Sequence, residues 1–344
     1  MKQSWMMHAC LAVVLGLAMA SCSSDEEEQR KSALSEGAFL GKWCSLDISG
    51  GIAVEMDFAG SHTMEGKIYT HLNDYPTCSG MTSGTWNFNA SSSVLVVRMG
   101  MVSTNNITTT SYKVQKADSF SLQMQDQETG VNDVFNRLVA QLEGEQGVRL
   151  QLGESLPDGF AASSCVSTNS EVAQWTGQDG QVLLKKQGVA YLVVSNGQDN
   201  VVVKVTVNGR VRRMLALLDG TIDQVYAAYG TPDATGTLNS GDNRNPAVLY
   251  KNPVSMPMLS NLQVMYDETS GQVTRVWTKY NDASLWLEDA SCLMAVYYSV
   301  GSEMYGDHPE LQECKTVASP FTDNSGARWV NYLDQAYYKQ NGHY

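Results

Sequence analysis

The side chains that commonly carry out chemistry in proteins are sparse in this chain. Its 344 residues include five histidines and seven cysteines, and these form no CxxC pair, zinc-ligand spacing or HExxH motif. No Gly-x-Ser-x-Gly elbow or phosphate-binding loop is present, and Asp323 and Asn324 lack the ligand spacing of a calcium loop. The sequence therefore predicts a protein that is not an enzyme and needs no metal or cofactor. A pair of glycosidase carboxylates that meets only in the fold is an open alternative.

Cys22 is the residue whose context indicates a defined modification. A short polar start with one cation, Lys2, leads into the apolar run ACLAVVLGLAMA at residues 9–20. Such a run is too short to cross roughly 30 Å of hydrocarbon, but it suits the core of a signal peptide. The segment Met19-Ala20-Ser21-Cys22 follows. Ordinary cleavage near Ala20 is the alternative to modification of the Cys22 thiol.

This segment resembles the lipobox of bacterial lipoproteins, with Met19 where Leu is usual. The resemblance implies that residues 1–21 are a lipoprotein signal peptide and that Cys22 carries fatty acyl chains such as palmitate. Several acyl chains anchor a protein stably, because each buried methylene contributes about 0.8 kcal/mol. Residues 22–37 are then an acidic flexible tether. Its Asp25-Glu26-Glu27-Glu28 run resembles the export signal of Bacteroidetes surface lipoproteins, which implies an outer-membrane protein exposed at the cell surface.

Charge and length limit the partners and the number of domains. The formal net charge is −13, so the phosphate backbone of a nucleic acid would be repelled. The dense basic patch at residues 210–213 is interpreted as a solvated face between domains. The length predicts two or three domains.

Residues 38–142 are predicted to form an antiparallel barrel. Short segments of period two alternate with Gly, Asn and Ser turns, which favours a barrel or a sandwich. The segments Phe39-Leu40-Gly41-Lys42-Trp43, Gly84-Thr85-Trp86 and Asn136-Arg137-Leu138 resemble those of lipocalin-like domains. The resemblance implies that Trp43 plugs the base of the barrel and that Arg137 stacks on Trp43. A small sandwich is the rival fold, and residues 133–139 are also compatible with a helix.

Residues 145–208 carry a second pattern of short strands. Its successive phrases are Ser167-Thr168-Asn169, Val172-Ala173, Asp179-Gly180-Gln181-Val182, Gly188-Val189-Ala190 and a Val-rich closing strand. This order resembles the bacterial Ig-like domain of group 2 (BIG2), although Cys165 stands where that family usually has Trp. The resemblance implies a β-sandwich that acts as a spacer or adhesive unit and catalyses no reaction.

Residues 213–344 are predicted to form an α+β domain, so the predicted fold class is mainly β and multidomain. Helices are expected within residues 216–229 and 285–300, with hairpin strands after each, which suggests a faint repeat. Aromatic side chains are dense here, and they either pack in a core or line a carbohydrate or peptide surface. They are Tyr297, Tyr298, Tyr305, Trp329, Tyr332, Tyr337 and Tyr338.

Five cysteines follow Cys22, and export would expose them to an oxidising compartment. The pairs Cys44–Cys78 and Cys292–Cys314 are disulfide candidates, because both members of each pair lie in one predicted domain. The sequence does not fix this connectivity. Cys165 is the candidate for an unpaired, inert thiol.

The favoured function is that of a non-enzymatic, lipid-anchored binding or adhesion protein of the cell envelope. The membrane would be contacted through the lipid, and the ligand would be a glycan or a protein. Two alternatives are a small-ligand carrier that uses the lipocalin-like barrel and an inhibitor or assembly factor that acts through the C-terminal domain. The oligomeric state is open.

Overall fold

The computed structural model describes residues 34–72, 77–101, 107–177, 180–240, 243–296, 298–300, 303–305 and 316–334. These residues form two compact units. The first unit takes in the described parts of Met1–Asp74 with Ser79–Lys185 and Val189–Thr206, and the second takes in those of Tyr75–Cys78, Lys186–Gly188 and Val207–Tyr344. Nearly all of the predicted barrel and Ig-like segments therefore lie in one unit.

A closed barrel of eight antiparallel strands begins the first unit. Strand β1 pairs with β2 on one side and with β8 on the other, which closes the cylinder. The barrel strands are β1 Gly41–Asp47, β2 Ile52–Phe58, β3 Thr63–Thr70, β4 Thr77–Asn89, β5 Val94–Met101, β6 Ile107–Ala117, β7 Ser121–Asp126 and β8 Asn132–Glu145. The predictions of a mainly β chain and of an antiparallel barrel are confirmed.

Alternation along these strands fills the interior of the barrel with large apolar side chains. Trp43 and Met56 are paired across β1 and β2 and belong to the same buried cluster, and burial of such side chains stabilises the fold by about 1.5–3 kcal/mol each. Gly84 permits the close approach of β4 and β5, because an added Cβ would lie 1.9 Å from the carbonyl oxygen of Arg98. The cluster consists of Phe39, Trp43, Met56, Phe58, Met64, Trp86, Phe88, Leu95, Val97, Tyr112, Val114, Leu122, Met124 and Phe135.

A separate three-stranded sheet and a further set of paired strands follow the barrel within the first unit. One sheet has three strands in the order β11-β12-β9, and in the other β10 pairs with β13, while β14 also pairs with barrel strand β8. The strands are β9 Arg149–Gln151, β10 Ser164–Ser167, β11 Ala173–Trp175, β12 Gln181–Leu184, β13 Gly188–Ser195 and β14 Asn200–Asn208. Valines and leucines of these strands form the interior.

The second unit combines helices with an antiparallel sheet. Strands β15 to β18 pair in sequence order, β18 then pairs with β22, and β22 pairs with β21. The helices are α1 Arg210–Leu218, α2 Ile222–Tyr229 and α3 Ala283–Val296. The strands are β15 Ala234–Ser240, β16 Asn243–Lys251, β17 Leu259–Tyr266, β18 Val273–Tyr280, β19 Tyr298–Val300, β20 Glu303–Tyr305, β21 Thr316–Thr322 and β22 Arg328–Asp334.

One face of this sheet, the inner face, packs against the helices. Val276 and Tyr332 are paired across β18 and β22 and are fully buried with Val211 and Met214 of α1 and Leu293 of α3. Because side chains alternate along a strand, the neighbours of Val276 and Tyr332 in sequence lie on the opposite face. Burial of the inner-face residues therefore determines which residues of β18 and β22 lie on the opposite face.

These elements decide one alternative that the sequence left open and correct one expectation. Residues 133–139 form part of strand β8 and no helix, since β8 pairs with both β7 and β1. The helix predicted within residues 216–229 is two helices, because Thr221 caps α2 and its N–H donates to the Gln224 side chain at 2.8 Å.

The basic patch at residues 210–213 is only in part a solvated face. Arg210 donates from Nη2 to Glu288 at 2.8 Å and lies 2.7 Å from the carboxylate of Asp289. Asp289 is fully buried and also accepts a hydrogen bond from the Tyr280 hydroxyl at 2.6 Å. This ion pair holds α1 against α3, whereas Arg212 and Arg213 are exposed.

Candidate functional site

The face of the second unit's sheet that lies opposite the helices, here called the outer face, is the strongest candidate site. Strand β18 has the sequence VTRVWTKY, and its odd-numbered residues from 275 to 279 alternate with inner-face residues. The cross-strand pairs Trp277 with Asn331 and Lys279 with Trp329 extend this face onto β22. Phe321 on β21 is paired with Trp329 and continues it.

Three aromatic rings form a contiguous group on the outer face. The ring centroids of Trp277 and Trp329 are 6.3 Å apart with an interplanar angle of 72°. Phe321 lies nearly parallel to Trp329, with centroids 6.5 Å apart and an angle of 7°. Phe321 is 38% exposed and both tryptophans are partly exposed. Flat apolar rings that reach solvent in this way can stack on a planar or cyclic ligand.

A cationic side chain lies beside each tryptophan ring of the group. The guanidinium carbon of Arg275 is 5.7 Å from the centroid of the Trp277 ring, and Lys279 Nζ is 5.4 Å from that of Trp329. Cation–π contacts of this kind hold long side chains in place beside the ring. The outer face therefore presents positive charge next to aromatic surface.

Amide side chains on the same face of the sheet supply hydrogen-bonding groups. Trp277 Nε1 donates to the Asn331 side chain, which leaves the Asn331 amide nitrogen as a donor. Gln263, paired with Trp277 across β17 and β18, has a buried Oε1 atom without a hydrogen-bond partner. The amide nitrogen of Asn245, on the same face of β16, is likewise buried and without one. Buried polar atoms without partners are uncommon and are often satisfied by a ligand or water.

The backbone of β22 is fixed where it carries Trp329. Trp286 of α3 donates from Nε1 to the carbonyl oxygen of Trp329 at 2.9 Å. The Trp329 ring is oriented by its own Nε1, which donates to Asp323 at 2.9 Å. Hydrogen bonds from Ser325 and Trp329 lower the pKa of Asp323 to about 2, so this carboxylate is ionised at neutral pH.

The structure brings together Trp43 and Arg137, which sequence resemblance placed at the barrel base. The guanidinium carbon of Arg137 lies 4.0 Å from the centroid of the Trp43 ring. Arg137 also donates to the carbonyl oxygens of Leu40 and Ser119, and Trp43 Nε1 donates to the carbonyl oxygen of Phe39 at 2.7 Å. Trp43 is fully buried. Both residues act in the packing of the barrel.

None of the described cysteine side chains forms part of the outer face. Cys44 is a buried free thiol, so the suggested Cys44–Cys78 disulfide is not formed in the structure. Burial raises the pKa of Cys165 to about 12, which keeps its thiol protonated at neutral pH. Cys22 and Cys314 lie outside the described residues, as does the side chain of Cys292.

Sequence reasoning found only part of the outer face. Of the aromatic group that it singled out, Trp329 lies on this face and Tyr332 is fully buried in the core. The side chains of the remaining tyrosines are outside the described residues. Arg275, Trp277, Lys279 and Phe321 were missed, although the period-two alternation of β18 places the first three on one face.

A second group of polar side chains lies inside the barrel. Tyr112, Asp126 and Asp133 face inward, with Tyr112 opposite Asp126 across β6 and β7. Asp133 is 8% exposed, and burial together with the charge of Asp126 raises its pKa to about 7. The Asp126 carboxylate accepts hydrogen bonds from the backbone N–H groups of Glu128 and Thr129, which indicates a structural role in the β7–β8 turn.

Within the described part of the chain, no helix has both the length and the apolar character needed to cross a membrane. The described residues also hold no group of three or more His, Cys, Asp or Glu side chains arranged to bind a metal ion. No protein-family model matches this sequence, and no curated protein is significantly similar to it.

Proposed function

We propose that this chain is a lipid-anchored, non-enzymatic binding protein of the bacterial cell envelope that holds a glycan on its outer face. The observation that carries the proposal is the group formed by Trp277, Trp329 and Phe321 with Asn331 beside it. Sugar rings present flat apolar C–H surfaces that stack on aromatic side chains. Their hydroxyl groups both donate and accept hydrogen bonds, as amide side chains do.

The remainder of the chain supports presentation of this face away from a membrane. In this proposal the acylated Cys22 anchors the protein and residues 22–37 form the tether. The lipocalin-like barrel and the BIG2-type Ig-like sandwich act as spacers, and the C-terminal α+β domain binds the ligand. The pairing of β14 with β8 supports this role, because it joins the barrel and the following strands in one unit.

A carrier function for the barrel is less well supported than glycan binding. The interior of the barrel holds a cluster of buried aromatic, aliphatic and methionine side chains that includes Trp43. A small apolar ligand needs an apolar cavity, and these side chains occupy that space.

Glycan binding can be tested with the purified protein and soluble plant and bacterial polysaccharides in affinity electrophoresis. We expect at least one polysaccharide to retard the protein, and Trp329→Ala and Trp277→Ala to lose about two- to tenfold in affinity, since one stacked ring contributes about 0.5–1.5 kcal/mol. Trp175→Ala is the matched control, because Trp175 is a partly exposed tryptophan on β11. Equal loss in the control, or hydrolysis of a polysaccharide, would contradict the proposal.

The anchor requires its own test. Globomycin blocks lipoprotein signal cleavage, so treated cells should accumulate the uncleaved chain, and protease treatment of whole cells should degrade a surface-exposed protein. Mass spectrometry that finds an unmodified Cys22 in the mature chain would refute lipid anchoring. A protease-resistant but acylated protein would place it on the inward-facing leaflet.

A further inference from the structure

We propose that two copies of this chain associate through strand β15, which pairs antiparallel with β15 of the second copy about Thr237. The two strands join the sheets of the two second units into one continuous sheet. This association does not depend on which ligand the outer face binds.

Strand β15 is an exposed edge of the sheet in the second unit. Among the described strands it pairs with β16 alone, along all 7 of its residues. Residues 234–237 are exposed on both faces of the strand. The edge opposite β16 therefore presents unpaired N–H and C=O groups, with which a further strand can form main-chain hydrogen bonds.

Pro246 of β16 determines which backbone groups of β15 point to this free edge. Thr237 is paired with Pro246, and proline has no N–H to donate. Bonded and non-bonded pairs alternate along an antiparallel ladder, so the Thr237–Pro246 pair is a non-bonded one. The N–H and C=O groups of Thr237 therefore point away from β16. By the same alternation, those of Thr235 and Asn239 also point away from it.

The connection between β15 and β16 gives the same phase of the ladder. Ser240 and Asn243 are the last pair, and two residues separate them. A pair that closes so short a connection is normally hydrogen-bonded. Because Ser240 is three residues from Thr237, the two residues alternate in phase and Thr237 is again in a non-bonded pair.

The outward-pointing residues are arranged symmetrically about Thr237. Thr235 and Asn239 lie two residues before and after it. An antiparallel copy centred on Thr237 places Thr237 opposite Thr237, and Thr235 opposite Asn239 of the other copy. Each of these pairs can exchange two hydrogen bonds, so about six main-chain bonds form across the contact. The same residues are used by both copies, as a two-fold interface requires.

The sequence of β15 favours a second copy as the occupant of this edge. The strand reads ATGTLNS, without the charged residues or proline that commonly protect an edge from self-association. Every residue pair in the proposed register is uncharged. The net charge of −13 therefore places no like charges opposite each other in the paired strands, where they would be destabilising. Threonine opposite threonine is a favourable cross-strand pair.

Sedimentation of the purified protein tests the association. Pairing along one short edge gives a small interface, so we expect monomer and dimer to exchange between about 1 and 100 µM protein. Thr237→Pro removes an N–H that bonds the second copy and none that bonds β16, and proline is tolerated at such edge positions. This variant should dimerise at least about tenfold more weakly, with thermal unfolding close to that of the parent.

Charge variants test whether the two copies meet at Thr237. Thr237→Lys and Thr237→Glu each place like charges opposite each other and should weaken the dimer at least about tenfold. An equal mixture of the two variants places opposite charges together and should restore the dimer. Thr109→Lys and Thr109→Glu are the matched controls, because Thr109 is an exposed threonine on barrel strand β6. Neither control should change the dimer.

Each contrary result has a distinct meaning. A parent protein that is monomeric at about 100 µM refutes the association. A dimer that withstands Thr237→Pro and both charge variants forms through another surface, which also refutes it. If the mixture of the Lys and Glu variants does not dimerise, the copies do not meet at Thr237. A monomeric parent that binds an unrelated extended peptide along β15 shows that the edge serves a different partner, which excludes the second copy.

Discussion

Lys204 Nζ on β14 lies 2.8 Å from Glu55 Oε1 on barrel strand β2, and both side chains are 12% exposed. Tyr191 also donates to Glu55 Oε1 at 2.6 Å, and Lys204 Nζ is 2.9 Å from the Tyr69 hydroxyl oxygen. Burial alone would lower the pKa of Lys204, but Tyr69 and Glu55 raise it overall. This network joins the barrel to the strands that follow it within the first unit.

We predict that breaking this buried ion pair destabilises the first unit. Lys204→Met leaves the Glu55 carboxylate buried without its cation, which should lower the free energy of unfolding by about 3 kcal/mol. The double variant Glu55→Leu/Lys204→Met should lose less than either single variant, because no uncompensated charge remains. Urea denaturation of the four proteins of this double-mutant cycle measures the difference.

Lys42→Met is the control for this prediction. Lys42 and Asp57 are 4.0 Å apart with both side chains at least 44% exposed, and exposed pairs contribute about 0–1 kcal/mol. If Lys204→Met costs no more than Lys42→Met, the buried network does not stabilise the unit.

Arg137 is predicted to stabilise the barrel through its contact with Trp43. Arg137→Met removes the cation over the Trp43 ring and the hydrogen bonds to Leu40 and Ser119, so we expect a loss of about 2 kcal/mol. Arg137→Lys keeps the charge but not the planar donor set, and it should lose about half as much. Urea denaturation followed by tryptophan fluorescence measures both, and equal stability of all three proteins would contradict the prediction.

Gly41 is predicted to be required where the chain enters β1. Its φ of +100° is a conformation that L side chains rarely adopt, and an added Cβ would lie 2.9 Å from Nη1 of Arg137. Gly41→Ala should therefore cost about 1–2 kcal/mol or more. Gly60→Ala is the control, because nothing lies within 4 Å of its Cβ position and its φ is not positive. Thermal unfolding should separate the two variants, and an equal effect would refute the prediction.

The barrel was predictable from the sequence because its signals are local. Period-two alternation marks its strands, and the Gly41-Lys42-Trp43 segment together with Arg137 predicted the contact between Trp43 and Arg137. The helix alternative for residues 133–139 could not be excluded locally, since β8 is defined by pairing with β1 and β7, which are distant in sequence. The C-terminal aromatics could not be assigned to core or surface for the same reason. Trp329 and Tyr332 differ in burial only because the helices cover one face of the sheet.

Asp133 gives a prediction for the pH dependence of stability. Its pKa is raised to about 7, by burial first and by the Asp126 carboxylate second, whereas an unfolded Asp titrates near 3.9. A raised folded-state pKa means that the folded state binds the proton more tightly than the unfolded state. The free energy of unfolding should therefore fall as the pH rises from about 4 to about 7, and the penalty should be fully present above pH 7.

Asp133→Asn removes the charge and should reverse this penalty. At pH 8 we expect the variant to be more stable than the parent by on the order of 3 kcal/mol, and at pH 4 to be nearly equal to it. Asp118→Asn is the opposite control. Although burial opposes it, Lys116 and the backbone N–H groups of Phe120 and Ser121 lower the pKa of Asp118. That variant should therefore be less stable than the parent above pH 4. Urea denaturation at both pH values measures all three proteins, and an Asp133→Asn protein that is no more stable at pH 8 would show that the Asp133 carboxyl is ionised there without cost.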